Sequence, residues 1–433
     1  MLIMKNFVLF AFTLLLLSTI SVFSQTLVSK TYEFKNGQWF DGKIFKRQTM
    51  YSVDGFFTKK KPQEIDEAID LKNQFVIPPL ADAHTHHFDS SYSVAKEVAM
   101  YLKDGVFYAK VQTDVRTSAA EIKDKVNQPN SVDVTYAHGA LTHTYGHGIE
   151  IYEALALGYY FDRKIYDSKI AEIAASRIRE NDAYYIIDTA EDLEKKWQKI
   201  LDGKPDFIKI YLLGSEDYEE KNKNIPNIRL GDIGLDPKLV PLIVKKAHAA
   251  GLRVSAHVDT VTDYRIALNG GVDEMAHLPG YYVNLKDNLD KYLLTENDVR
   301  ETVRKGVWIV PAPIYNGYIE LEIRARTDIG LKANFKLLKK FRAKIAFGSD
   351  RYGSTPVDDV FYLQTLGVFS NLELLKIWAE DTPRTIFPKR KIGFLREGYE
   401  ASFIVLQDNP VKDFAQLKNI KLRFKQGNLI KTP

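Results

Sequence analysis

The chain has 433 residues, of which 45% are hydrophobic and 27% charged, with a formal net charge of +4. That composition supports a large buried core, and a mild charge spread among acids and bases argues against a nucleic-acid-binding surface. The absence of cysteine excludes disulfides and a lipid-modified N-terminal cysteine.

Residues 1–24 read as a secretory signal peptide. Lys5 gives a charged start, 7–20 is an apolar stretch, and 22–24 is a small-residue cleavage site before Gln25. The expected protein is exported, to a bacterial periplasm or beyond it, with no membrane attachment after cleavage. An uncleaved anchor is the alternative. Residues 28–77 are expected to be β-rich, with Asn36-Gly37, Asp41-Gly42 and Asp54-Gly55 as turns between short apolar runs. Lys59-Lys60-Lys61-Pro62 fits a solvated loop.

From 78 to 389 strand and helix patterns alternate, which predicts an α/β fold of the (β/α)8 TIM-like barrel type. Strand ends are expected near His86, Gln112, Tyr136, Tyr211, His257, Leu278, Pro311 and Ser349, with helices such as 93–103 and 239–250 between them. The long connections 141–205 and 312–343 are suited to shaping a pocket. Residues 390–433 return to short strands, among them 402–406.

Six residues stand at or near the ends of those strands. His84 and His86 close Val-Ile-Pro-Pro-Leu-Ala-Asp-Ala-His-Thr-His (76–86), and two histidines at i, i+2 on a strand share one side. Lys209 lies in Phe-Ile-Lys-Ile (207–210), His257 ends Val-Ser-Ala-His (254–257), His277 ends Glu-Met-Ala-His (274–277) and Asp350 ends Ala-Phe-Gly-Ser-Asp (346–350). A parallel barrel brings the C-terminal ends of its strands to one face. Imidazole and carboxylate ligands meeting there suit Zn²⁺ or a similar divalent ion.

In this order the series resembles the amidohydrolase superfamily of metal-dependent hydrolases, from about residue 28 to the C-terminus. Ala-His-Ala-Ala-Gly-Leu-Arg-Val-Ser-Ala-His (247–257) and Gly-Gly-Val-Asp-Glu-Met-Ala-His (270–277) are most similar to its imidazolonepropionase-related, Xaa-Pro dipeptidase-like branch. The resemblance implies a small β-sandwich built from 25–77 and 390–433 beside a barrel over 78–389. It also implies a binuclear, zinc-type centre in which His84, His86 and Asp350 hold one ion and His257 and His277 the second. Lys209, carboxylated by CO₂ to a carbamate, would bridge them. Asp350 would carry the catalytic proton, and the implied reaction is hydrolysis of an amide or related C–N bond in a small molecule such as a dipeptide or N-acyl amino acid. Homo-oligomers are common in such families.

Alternatives stay open at this point. Lys209 kept as an ammonium, paired to Asp350 or Glu274, would give a mononuclear deaminase or cyclic-amide hydrolase, and loss of activity would leave a small-molecule-binding barrel. An ester or lactone is an alternative bond. For substrate contacts the loop Tyr-Ala-His-Gly-Ala-Leu-Thr-His-Thr-Tyr-Gly-His-Gly (136–148) offers His143 with Tyr145, and Arg351 offers a fork for a carboxylate. His87 and His248 are expected to be structural, and Asp82 either orients a ligand or caps its strand. The lead-in Pro78-Pro79 and the segment Leu278-Pro279-Gly280 after His277 depart from the family pattern.

Overall fold

The computed structural model describes residues 30–313 and 320–431, so the expected signal peptide lies outside the described residues. Turn-separated apolar runs form β1 (Tyr32–Phe40), β2 (Phe45–Val53), β3 (Phe56–Thr58), β4 (Glu67–Asp70) and β5 (Phe75–Ile77). The next strands are β6 (Leu80–Thr85), β7 (Val106–Val111), β8 (Asp133–Tyr136), β9 (Ala140–Thr142), β10 (Tyr184–Ile186), β11 (Phe207–Tyr211) and β12 (Arg253–His257). The last are β13 (Glu274–Ala276), β14 (Trp308–Val310), β15 (Lys344–Ile345), β16 (Phe403–Leu406), β17 (Ile420–Lys425) and β18 (Asn428–Leu429).

Among the described residues, N-terminal and C-terminal strands share one sheet of order β18-β17-β16-β5-β1-β2-β3, with β4 paired to β1. The join is the antiparallel β16–β5 ladder. Aromatic side chains fix it: the Phe34 ring lies 4.9 Å from Phe403, which stacks on Phe424 at 5.2 Å. Such pairs add to their area burial because ring edge and face carry opposite partial charge.

Between these segments lie two parallel sheets, β6-β7-β8 and β10-β9-β11-β12-β13-β14-β15. Apart from the first residues of β12, β14 and β15, the strands of both are buried throughout, which explains their near-continuous apolar runs. Backbone hydrogen bonds link the three-stranded sheet to the larger one on both of its sides. Ala83 N–H donates to Phe347 O at 2.8 Å and Asp350 N–H to His84 O at 2.7 Å, while Asp206 N–H donates to Tyr136 O at 2.8 Å. Gly348 permits the first approach, since an added Cβ would lie 2.5 Å from His84 Cβ.

The helices expected at 93–103 and 239–250 are Val94–Lys103 and Val240–Ala249. Two details differ from expectation. The third strand is interrupted between β8 and β9, where His138 and Gly139 take φ of 54° and 98°. The 141–205 connection also contributes a strand of its own, β10, paired to β9. Lys59 to Lys61 are exposed, as expected.

Candidate metal centre

The strand ladders place the chemistry. Lys209, Ser255 and Glu274 are level across β11, β12 and β13, so their side chains project at one height. One layer higher, Tyr211, His257 and Ala276 align, and His277 follows directly. His84 is the penultimate residue of buried β6, and Asp350 comes five residues after β15.

Asp350 is the hub of the cluster. Its Oδ1 accepts from His86 Nε2 at 2.9 Å and lies 3.0 Å from His84 Nε2, and its Oδ2 lies 3.5 Å from His277 Nε2. Ring centroids are 4.8 Å apart for His84 and His277 and 4.6 Å for His257 and His277. Donor atoms of His84, His277 and Asp350 lie within 4.8 Å of one another, close enough to share one cation. The geometry holds strained backbone: φ is 51° at Asp350 and 122° at His277. Each such residue costs on the order of 1–3 kcal/mol, and strain of this kind concentrates at functional sites.

Burial sets the charges. It pushes His84 down to about 4 and lowers His257 and His277 as well, leaving neutral imidazoles with a lone pair to give. Burial opposes the charge of Asp350, but the histidines around it hold that carboxyl well below its usual range. The most telling group is Lys209. Its Nζ is buried without a hydrogen-bond partner, and burial pushes it down from 10.5 to about 7. The amine makes no hydrogen bond to Asp350 or Glu274, the pairing the sequence allowed, and Glu274 Oε1 accepts from Lys110 at 2.7 Å. Buried His84 Nδ1 and His277 Nδ1 also lack partners. Neutral imidazoles, an ionised carboxylate and orphaned donors fit a divalent cation.

Asp82 braces the centre through the backbone. Its Oδ1 accepts from the N–H groups of His84 and Ser349, both at 3.1 Å, and Oδ2 accepts from Tyr101 and Ser349 hydroxyls at 2.8 Å. It therefore fixes the strand ends that carry His84 and Asp350 rather than orienting an imidazole ring. His87 is structural, accepting from Gly353 N–H at 2.8 Å. His248 pairs with Asp273 on the surface.

The six residues line the floor of a cavity of about 440 Å³, with Tyr152, Tyr160, Tyr211, Tyr281 and Tyr352 on its walls. The candidate substrate contacts need correction. His143 is turned away to Asn222 Oδ1 at 3.2 Å, and Tyr145 does not line the cavity. His147 does, with its ring 4.9 Å from His257 and Nδ1 2.8 Å from Glu150. Burial would lower His147, but Glu150 outweighs it and raises the imidazole above its ordinary value. Arg351 is tied to buried Asp359 at 3.0 Å and is likewise off the cavity. Asp259 and Arg229 line the cavity without having been singled out from sequence. Glycines flanking His147 were the available signal for a tight turn into the site.

No protein-family model matches the chain. Among curated proteins, ochratoxinase from Aspergillus niger is 26% identical over 258 residues, 57% of this chain and 51% of the relative. The chain thus spans about half the length of the curated relatives it matches. Among solved structures, A. niger ochratoxinase superposes with a TM-score of 0.69 at 19% identity, covering 93% of this chain and 96% of that one. A Xaa-Pro dipeptidase with bound methionine in its active site gives 0.66 at 16% identity, covering 93% and 100%. A further amidohydrolase gives 0.68 at 18%, covering 93% and 99%. The structural neighbours are amidohydrolases, and the fold is theirs.

Proposed function

With an amidohydrolase fold as premise, we propose that this chain is a metal-dependent hydrolase cleaving an amide or related C–N bond in a small molecule such as a dipeptide or N-acyl amino acid. The observation that carries it is the convergence of His84, His86, His257, His277 and Asp350 beside a buried, unpartnered Lys209. The names of two neighbours, an amidohydrolase and a Xaa-Pro dipeptidase, support the bond type.

In this proposal 78–389 form a (β/α)8 barrel, which the hydrogen bonds at both sheet margins support. Residues 25–77 and 390–433 form the companion β-sandwich, and 1–24 direct export. Among the described residues no helix is long and apolar enough to cross a membrane.

His84, His86 and Asp350 would hold one divalent ion, and His257 and His277 a second, zinc being well matched to this donor set. Lys209, as its carbamate, would be the donor common to both sets. The neutral amine would add to CO₂, an N–C bond forming and a proton leaving, so that an uncharged nitrogen becomes an anionic oxygen donor. The bound ions supply Lewis acidity toward the scissile carbonyl and toward water. Asp350, held ionised, accepts a proton from the water that attacks the carbonyl carbon. It returns that proton to the departing nitrogen as the C–N bond breaks, giving an acid and an amine. The tyrosine walls limit bulk water around these charges.

The test is turnover of a panel of dipeptides and N-acyl amino acids by zinc-loaded protein, with released amine measured before and after chelation. Amine release that chelation abolishes is expected. Release unaffected by metal removal would overturn this function.

A further inference from the structure

We propose, resting on the hydrolase function above, that Arg229 binds a free carboxylate of the substrate. The site then prefers dipeptides and N-acyl amino acids over the same compounds with a neutral carboxamide end.

The cavity's charged groups are mostly committed to one another. Glu150 faces His147 at 2.8 Å, and Asp259 accepts from His257 at 2.9 Å and from Tyr281 at 2.7 Å. Asp350 is held by histidines, and Lys209 lies on the floor. Arg229 also lines the cavity, and among the described residues its guanidinium has no hydrogen bond or ion pair. Asp232, on the same loop, acts on it only at longer range.

The backbone that carries Arg229 is anchored. Gly231 N–H donates to Tyr145 O at 3.1 Å, His147 N–H to Ile233 O at 3.0 Å and Leu235 N–H to Tyr211 O at 2.8 Å. Leu230 is buried beside it. Gly231, at φ 91°, lets this loop lie on Glu150, since a Cβ there would meet the carboxyl carbon at 2.5 Å. The loop after β11 is thereby stitched to the loop after β9, and this anchored backbone carries the exposed Arg229 on the cavity wall. A planar fork of N–H donors matches a carboxylate in two parallel hydrogen bonds. A cavity of about 440 Å³ is of a size to span from that fork to an amide carbonyl at the floor.

The experiment compares zinc-loaded wild type, Arg229→Gln and Arg229→Lys on N-acyl amino acids and dipeptides, each assayed beside its C-terminal carboxamide. The wild type is expected to favour the acid. Arg229→Gln should lower kcat/KM for the acid by about 10- to 100-fold, chiefly through KM, and leave the carboxamide nearly unchanged. Arg229→Lys should retain part of the preference, since charge remains without the fork. Equal effects of Arg229→Gln on acid and carboxamide, or a wild type indifferent to the pair, overturn the inference while leaving the hydrolase intact. Turnover of neither member by metal-loaded protein overturns both.

Discussion

Replacing Lys209 by methionine should make the metal-free chain more stable while weakening its hold on metal. Burial lowers the Lys209 amine from 10.5 to about 7, despite the opposing pull of Asp350 and Glu274. In the unfolded chain the amine keeps its ordinary affinity for a proton. Between these two values the unfolded state therefore binds more protons, and stability rises with pH. The penalty is fully present below the folded value, near pH 7, and vanishes above 10.5. At 1.36 kcal/mol per pH unit it is about 4 kcal/mol at pH 7 and about 2 kcal/mol at pH 9. Methionine has similar length and no charge to desolvate, so the variant escapes the penalty. Urea unfolding of chelated, CO₂-free protein, followed by tryptophan fluorescence at about pH 7 and about pH 9, measures the difference. The variant should be the more stable at both, with the gap shrinking by roughly half between them. A variant no more stable than the wild type, or a gap independent of pH, would refute the assignment of Lys209 as a buried, unpaired amine.

Asp350→Asn should lower turnover by at least about a hundredfold, with far-UV circular dichroism unchanged, because the proton acceptor and an anionic ligand are lost without a change of side-chain shape; undiminished turnover contradicts its role. Arg351→Gln should lower the unfolding free energy by about 1–3 kcal/mol, because Asp359, 1% exposed, loses a charged partner. KM should not move, and a raised KM would return Arg351 to the substrate site. Gly348→Ala should destabilise by about 1–3 kcal/mol and weaken metal binding by calorimetry, since its Cβ would press on His84 at 2.5 Å. Normal metal affinity in that variant would mean the strand approach is not needed to place His84.

The clustering of these histidines with Lys209 and Asp350 was legible because each lies in or just after a short apolar run, and a strand's two-residue period fixes which side its side chains take. Lys209, His257 and His277 come together through parallel register, which places Lys209 level with Ser255 and Glu274. Loops carry no such period. His143 and His147 are equally plausible as letters, and only the turn through Gly146 and Gly148, the latter at φ 97°, sends His147 inward and His143 toward Asn222. Arg351 invited a substrate role by following Asp350, but buried Asp359, eight residues on in the next helix, claims it. Arg229 was invisible from sequence because its position depends on hydrogen bonds between two loops far apart in the chain. The N- and C-terminal strands were foreshadowed by turns and apolar runs and their pairing by the family resemblance, whereas the strand β10 was hidden inside a long connection.

The most direct measurement is the metal content per chain, by elemental analysis of protein produced with zinc and bicarbonate. Close to two equivalents, falling when Lys209 is replaced by methionine, is the result expected for a binuclear centre joined by a carboxylated Lys209. One equivalent indifferent to that replacement, or none after reconstitution, would contradict it.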